Sequence, residues 1–142
     1  MAGDIVVGYD GSDGSKAALR TAVSVARAFN APLTVVFGYE VNPMGGETAD
    51  YKQRVETIGE KVVAEAVTAA GAIDSTVTVN GVVIAERPVE SLLSVAEDRK
   101  ARVIVVGGNG SRPLMGAILG SVAHKLLHRS SLPVLVVPGP EE

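Results

Sequence analysis

The chain has 142 residues, a formal net charge of −3 and no cysteine. Its length suits one domain, residues 1–142, with a real core. The mild acidity argues against a general nucleic-acid or membrane-surface binder, and the lack of cysteine excludes disulfides, thiol redox chemistry and cysteine-based metal sites. Asp4–Tyr9 is a short apolar run rich in β-branched residues and reads as the first strand. Asp10–Gly11–Ser12–Asp13–Gly14 is a turn with several candidate helix caps, followed by an alanine-rich helix over Ser15–Phe29. Asn30–Ala31–Pro32 stops that helix, and Leu33–Tyr39 forms the second strand. Glu40–Thr48 carries Pro43, Gly45 and Gly46 and reads as a loop. Val55, Ile58, Val62 and Ala66 keep helical spacing, which predicts a helix from about Ala49 to Ala70. Thr76–Val83 is the third strand. Pro88 opens a helix containing Val89, Glu90, Leu92, Leu93 and Ala96. Val103–Val106 is the fourth strand. Ile118, Leu119, Val122, Ala123, Leu126 and Leu127 form an apolar stripe on the last helix, and Pro133–Val137 is the fifth strand.

Apolar residues make up 46% of the chain and aromatics only 4%, so the core is built from Val, Leu, Ile and Ala. That suits a parallel sheet buried on both faces. Strands alternate with helices throughout, which implies α/β architecture: one open five-stranded parallel sheet, helices on both faces, right-handed crossovers. No internal repeat, linker or low-complexity segment is visible. No signal peptide is visible, and no apolar stretch approaches the ~20 residues of a membrane span, so a cytoplasmic protein is expected.

The run Val103–Ile104–Val105–Val106–Gly107–Gly108–Asn109–Gly110, followed by Gly120–Ser121, carries the most chemistry. A strand runs into glycines, then a turn, then Gly-Ser opening a helix. Glycines let backbone N–H groups approach a polyanion, and a helix N-terminus adds unpaired N–H groups and a positive dipole end. Ser121 adds a hydroxyl donor. The alternative is a tight turn in a generic doubly wound sheet. The glycine loop and the Asp10 turn both follow strands, so both belong to the carboxyl edge of the sheet, where ligands bind at the switch in strand order. The loop is not a Walker A sequence. It is a poor dinucleotide fingerprint too: Pro113 stands where the third glycine belongs, and no acidic residue follows about 20 residues later.

The spacing of Gly107, two residues, Gly110, nine residues, Gly120, then Ser121 resembles the signature of the ATP-binding universal stress proteins. Ile5–Val6–Val7–Gly8–Tyr9–Asp10–Gly11–Ser12 is similar to that family's opening strand and acidic turn, and Ser131–Leu132–Pro133–Val134–Leu135–Val136–Val137–Pro138 to its closing strand. The resemblance covers nearly the whole chain. It implies the adenine nucleotide alpha hydrolase-like fold with strand order 3-2-1-4-5, and an ATP or other adenine-nucleotide ligand. By that resemblance Val106, Gly107, Gly108, Asn109, Gly110, Ser111 and Arg112 wrap the phosphates, and Gly120, Ser121 and Val122 close the far side. Arg112 would add a charge-assisted contact to the terminal phosphate; a solvated loop arginine is the alternative. The matching acid, Asp10, lies at the nucleoside end, where a carboxylate accepts from ribose hydroxyls or an amino group. Without a ligand it is a cap or turn former, although Ser12 and Asp13 could serve as caps equally well. Asp10 and Asp13 with phosphate oxygens are a weaker pair for Mg²⁺, since no third ligand is evident. Gly8 and Gly38 correspond to positions lining the adenine pocket, the latter leaving more room than the small apolar residue usual there; close strand–helix packing explains both equally. Glu86 and Arg102 depart from the family pattern and are expected to lie away from the site.

His124 and His128, spaced i, i+4, could share a helix face, but the H-E-x-x-H pattern is absent and a solvated pair is the simpler reading. Arg99–Lys100–Ala101–Arg102 reads as a solvated helix end. The implied function is a nucleotide-dependent stress-response switch or sensor, because the sequence offers many phosphate donors and no catalytic set. Three rivals stand beside it. Asp10–Gly11–Ser12 loosely resembles the Ser-Gly-Gly-x-Asp-Ser loop of adenylyl-transferring enzymes, with one glycine missing, and slow ATP hydrolysis belongs to the same enzymatic alternative. An interaction module without nucleotide is the second. A flavodoxin-like electron carrier is the third, opposed by aromatic content with only Tyr9 and Tyr39 near the crevice. The fifth strand would be a sheet edge, and its apolar Val134–Val137 is expected to pair with a second copy as a homodimer, the family's frequent arrangement. Pro138 and Pro140 limit that pairing; a monomer with proline-guarded edges is the alternative.

Overall fold

A computed structural model describes residues 3–40, 49–108 and 120–139. Among the described residues nine elements alternate: β1 (Ile5–Gly8), α1 (Asp13–Phe29), β2 (Leu33–Gly38), α2 (Ala49–Ile73), β3 (Val79–Ile84), α3 (Pro88–Arg99), β4 (Val103–Gly107), α4 (Ser121–Arg129) and β5 (Val134–Val137). All five strands are parallel, in the expected order β3-β2-β1-β4-β5. Successive side chains of a strand point to opposite faces, and here both faces are covered. Ile5, Val7, Leu33, Val35 and Val105 pack with α1 and α2, whereas Val6, Val36, Ile104 and Val106 pack with α3 and α4. This double covering explains why the strands read as continuous apolar runs rather than alternating ones.

The element boundaries have local causes. Ser12 caps α1, its hydroxyl accepting from the Ser15 N–H at 3.2 Å, so the helix starts at Asp13 rather than Ser15. Asn30 and Lys100 end α1 and α3 in the left-handed conformation, with φ of 54° and 52°. The third strand begins three residues later than expected because Asp74 folds the chain back. Its carboxylate accepts from both the Thr76 N–H at 2.9 Å and the Thr76 hydroxyl at 2.6 Å. Arg27 closes the same corner with an ion pair to Asp74 at 2.7 Å.

Two residues assigned to apolar stripes face outward. Ile58 on α2 is 58% exposed and Leu127 on α4 is 50% exposed. On α2 the buried residues are Gly59, Val63, Ala66 and Ala70, so Ala66 faces inward as expected, while Val62 is only partly buried and Val63 takes the deeper place. On α4 the inward residues are Ala123 and Leu126. Ile118 and Leu119 lie outside the described residues. Among the described residues no helix is long and apolar enough to cross a membrane.

Candidate functional site

The direction of strand addition reverses between β1 and β4, so the carboxyl ends of these two strands diverge into a crevice. It is open to solvent, and its empty space, part of it open solvent, is about 580 Å³. Of the residues singled out from the sequence, Gly8, Asp10, Gly38, Val106, Gly107 and Val122 line it together. Thus the ends of β1, β2 and β4 and the start of α4 converge. Asn109, Gly110, Ser111 and Arg112 lie outside the described residues.

On the α1 side, Gly11 takes a φ of 85°, which lets the chain turn sharply out of β1. Asp10 is exposed at the mouth, and one of its oxygens accepts from the Ser12 N–H at 2.9 Å. Ser15 locks the same turn: its hydroxyl donates to the Ser12 carbonyl at 3.0 Å and accepts from the Asp10 N–H at 3.3 Å. Asp10 therefore both shapes the turn and presents a carboxylate to the crevice. Burial of part of the group raises its pKa, but the hydrogen bonds of Ser12 and Ser15 outweigh that and hold it below the usual value, so it is ionised at neutral pH. Tyr9, beside it, is driven the other way by burial and by the Glu65 and Asp10 carboxylates, and stays a neutral phenol.

On the β4 side, the glycine backbone is used differently from the simplest expectation. The Gly108 N–H donates to the Val137 carbonyl at 2.8 Å, and the Gly120 N–H donates to the Gly108 carbonyl. These two N–H groups are committed to the fold, and the second bond ties the start of α4 to the end of β4. Gly107 instead permits close approach: a Cβ there would come within 2.8 Å of the Gly14 carbonyl oxygen at the start of α1. Gly120 is the N-cap of α4 and supplies no side-chain cap. The first N–H groups of that helix, from Ser121 onward, therefore have no intrahelical acceptor and form its anion-attracting end. Gly108, Gly120 and the exposed Ser121 are next to lining residues or to each other in sequence but are not themselves among the residues that line the crevice.

The remaining wall comes from residues that the sequence reading did not pick out: Ser12, Ser15, Val36, Pro88, Ser91 and Leu92. Pro88 and Ser91 share the first turn of α3, spaced i, i+3, which aims both at the end of β2. Gly38 leaves no extra room, contrary to expectation. A Cβ there would sit 2.3 Å from Ser91 Oγ and 2.8 Å from the Glu86 carbonyl oxygen. Strand–helix packing thus accounts for Gly38, and Glu86, whose carbonyl packs near it, is not among the residues that line the crevice. Its carboxylate is turned away, accepting from the Ser94 hydroxyl at 2.8 Å. Arg102 lies over the Phe29 ring at 4.8 Å, away from the crevice. His124 and His128 do share a face, their ring centroids 4.7 Å apart and edge-on. Among the described residues no group of three or more His, Cys, Asp or Glu side chains is arranged to hold a metal ion.

An open parallel sheet of this order with a crevice at its switch point defines the adenine nucleotide alpha hydrolase-like fold. The family profile of the universal stress proteins matches residues 1–138, and the chain belongs to that family. A universal stress protein of Methanocaldococcus jannaschii is 32% identical over 143 residues, covering 97% of this chain and 83% of that protein. One from Thermus aquaticus is 35% identical over 137 residues, covering 94% of this chain and 96% of its own length. Among solved structures, a universal stress protein from Archaeoglobus fulgidus shares the fold with a TM-score of 0.77 at 22% identity, covering 96% of this chain and 99% of that one. A universal stress protein crystallised in complex with cAMP superposes with a TM-score of 0.71 at 28% identity, covering 97% of this chain and 98% of its own.

Proposed function

We propose that residues 1–142 form one universal stress protein domain of the ATP-binding subgroup. It holds ATP or another adenine nucleotide in the β1/β4 crevice and acts as a nucleotide-dependent stress-response switch or sensor. The observation that carries this reading is the polarity of the crevice. The uncapped N-terminus of α4 lies at one end, an ionised Asp10 at the rim, and the mostly apolar wall of Val36, Pro88 and Leu92 at the other. A nucleotide has the matching order of polyanion, ribose hydroxyls and flat apolar base. The relative crystallised with cAMP supports the same ligand class. In this reading Gly107, Ser121 and Val122 face the phosphates with Asn109–Arg112 completing the cradle. Mg²⁺ rides on the phosphate oxygens rather than in a protein cage. The described lining residues offer a carboxylate, hydroxyls and a phenol, groups that hold and orient a nucleotide. The dimer belongs to the proposal as well: β5 is an edge strand, and Leu135 upon it is 38% exposed.

Gly120→Asp tests the phosphate end. The N-cap backbone is already extended, with φ −64° and ψ 158°, so aspartate fits there and caps the free N–H groups with its own carboxylate. The variant is expected to be as stable as the parent or slightly more so, yet to lose ATP binding by competition and charge repulsion. Undiminished ATP affinity in this variant would remove the α4 N-terminus from the site.

A further inference from the structure

Ser91 is only 1% exposed, yet its side chain forms part of the crevice wall where α3 meets the end of β2. Its Oγ would lie 2.3 Å from a Cβ at Gly38, so the hydroxyl occupies the space of the side chain that β2 lacks there. A serine hydroxyl has one proton and two lone pairs. The proton is committed, since Oγ donates to the Pro88 carbonyl at 2.7 Å within the first turn of α3. No described residue donates to Oγ in return. What Ser91 offers is therefore an acceptor, held in place by Pro88 and packed at Gly38, in a crevice whose lining also includes the apolar side chains of Val36, Leu92 and Val106.

We infer that Ser91 is a base-selecting residue. A buried acceptor pairs with an exocyclic amino N–H and opposes a keto oxygen. A keto group placed there leaves two acceptors facing each other without a donor, unless the hydroxyl abandons Pro88 to turn its proton around. Sites that hold a polar group in this way discriminate more strongly than apolar pockets do, because the wrong ligand leaves a buried group unpaired. Ser91 thus favours a 6-amino purine over a 6-keto purine. The inference rests on the nucleotide reading above and adds to it the residue that tells the bases apart.

The test is the ratio of affinities for ATP and inosine triphosphate, which differ in the 6-amino or 6-keto group and in the proton that the keto base carries on N1, in the parent protein and in Ser91→Ala. The parent is expected to prefer ATP by on the order of tenfold, and the variant to bring the ratio close to one, mainly by weakening ATP. A merely structural role would loosen the crevice for both ligands and leave the ratio unchanged, and an unchanged ratio overturns the inference. Ser91→Cys, nearly the same size with a weaker acceptor, should fall between the two and serves if the alanine variant does not fold. Equal affinities in the parent alone also overturn it. A parent that binds neither triphosphate refutes the nucleotide reading itself, a different result from ATP binding with no preference.

Discussion

The contact between Gly38 and Ser91 makes a stability prediction that can be worked from distances. Alanine at position 38 would place its Cβ 2.3 Å from Ser91 Oγ, 2.7 Å from Ser91 Cβ and 2.8 Å from the Glu86 carbonyl oxygen, where ordinary contacts begin at 3.4 Å. Rotating the hydroxyl relieves only the first of these, because Ser91 Cβ and the Glu86 carbonyl are fixed by the backbone of α3 and its approach. Overpacking of this kind costs about 1–3 kcal/mol. At about 4 °C per kcal/mol for a chain of this size, the melting midpoint should fall by roughly 4–12 °C. Gly71, inside α2, is the internal comparison: nothing lies within 4 Å of a Cβ there. Gly71→Ala should stabilise by about 0.5–1 kcal/mol, because alanine loses less backbone entropy in a helix. In the double variant Gly38→Ala/Ser91→Gly, two of the three close contacts disappear. Its loss should be smaller than the sum of the two single losses by about 1 kcal/mol or more, the signature of residues in direct contact. Urea and thermal unfolding of the four variants at one pH measure all of this. Additive losses at 38 and 91, or a Gly38→Ala variant as stable as Gly71→Ala, would refute the packing argument.

Further outcomes follow from single residues. Asp10→Asn keeps an oxygen to accept from the Ser12 N–H, so stability should change little, while ATP affinity should fall on the order of tenfold by calorimetry if the carboxylate meets the ribose. Asp74 is held at a pKa of about 2, below its ordinary 3.8, chiefly by the Thr76 hydroxyl and then by Arg27. A depressed carboxylate adds stability above its unfolded value and loses it as pH falls through the folded one. The gap in urea midpoint between parent and Asp74→Asn should therefore be constant above about pH 5 and close between about pH 4 and 2; a gap unchanged over that window would contradict the assignment. Leu126 is fully buried on the inward face of α4, and Leu126→Ala should cost about 2–5 kcal/mol in urea unfolding. Sedimentation velocity should show a dimer that a charge on the β5 edge, Leu135→Lys, converts to monomer; a parent that sediments as a monomer would contradict pairing through that edge.

Much of the fold is legible in the sequence because buried parallel strands write themselves as unbroken β-branched runs, while glycine, proline and asparagine punctuate the ends. The strand order is carried by the resemblance rather than by any residue pattern, and the structure has the same order. Where the reading slips, the reason is angular. Val62 and Val63 are neighbours on α2, and periodicity alone does not say which of them starts the inward row, so Ile58 goes to the wrong side. Thr76 and Val77 have strand-like side chains, yet the Asp74 carboxylate captures Thr76 into a turn first. The site is legible where backbone geometry demands a particular residue, as at Gly107. It is not legible where a wall comes from a distant helix. Ser91 lies 53 positions from Gly38, and only the packing of α3 on β2 makes them neighbours. The glycine N–H groups show a second limit, because sequence identifies donors without saying that Gly108 has already committed its own to the Val137 carbonyl and Gly120 its own to the Gly108 carbonyl.

The proposed function stands or falls with adenine-nucleotide binding in the β1/β4 crevice. Calorimetric titration of ATP with Mg²⁺, ADP, AMP and cyclic AMP into protein freed of co-purified nucleotide tests it most directly. Saturable binding of at least one of them, one per chain, is the predicted result. The absence of binding by all four would contradict the claim and leave the chain as an interaction module on a nucleotide-binding fold.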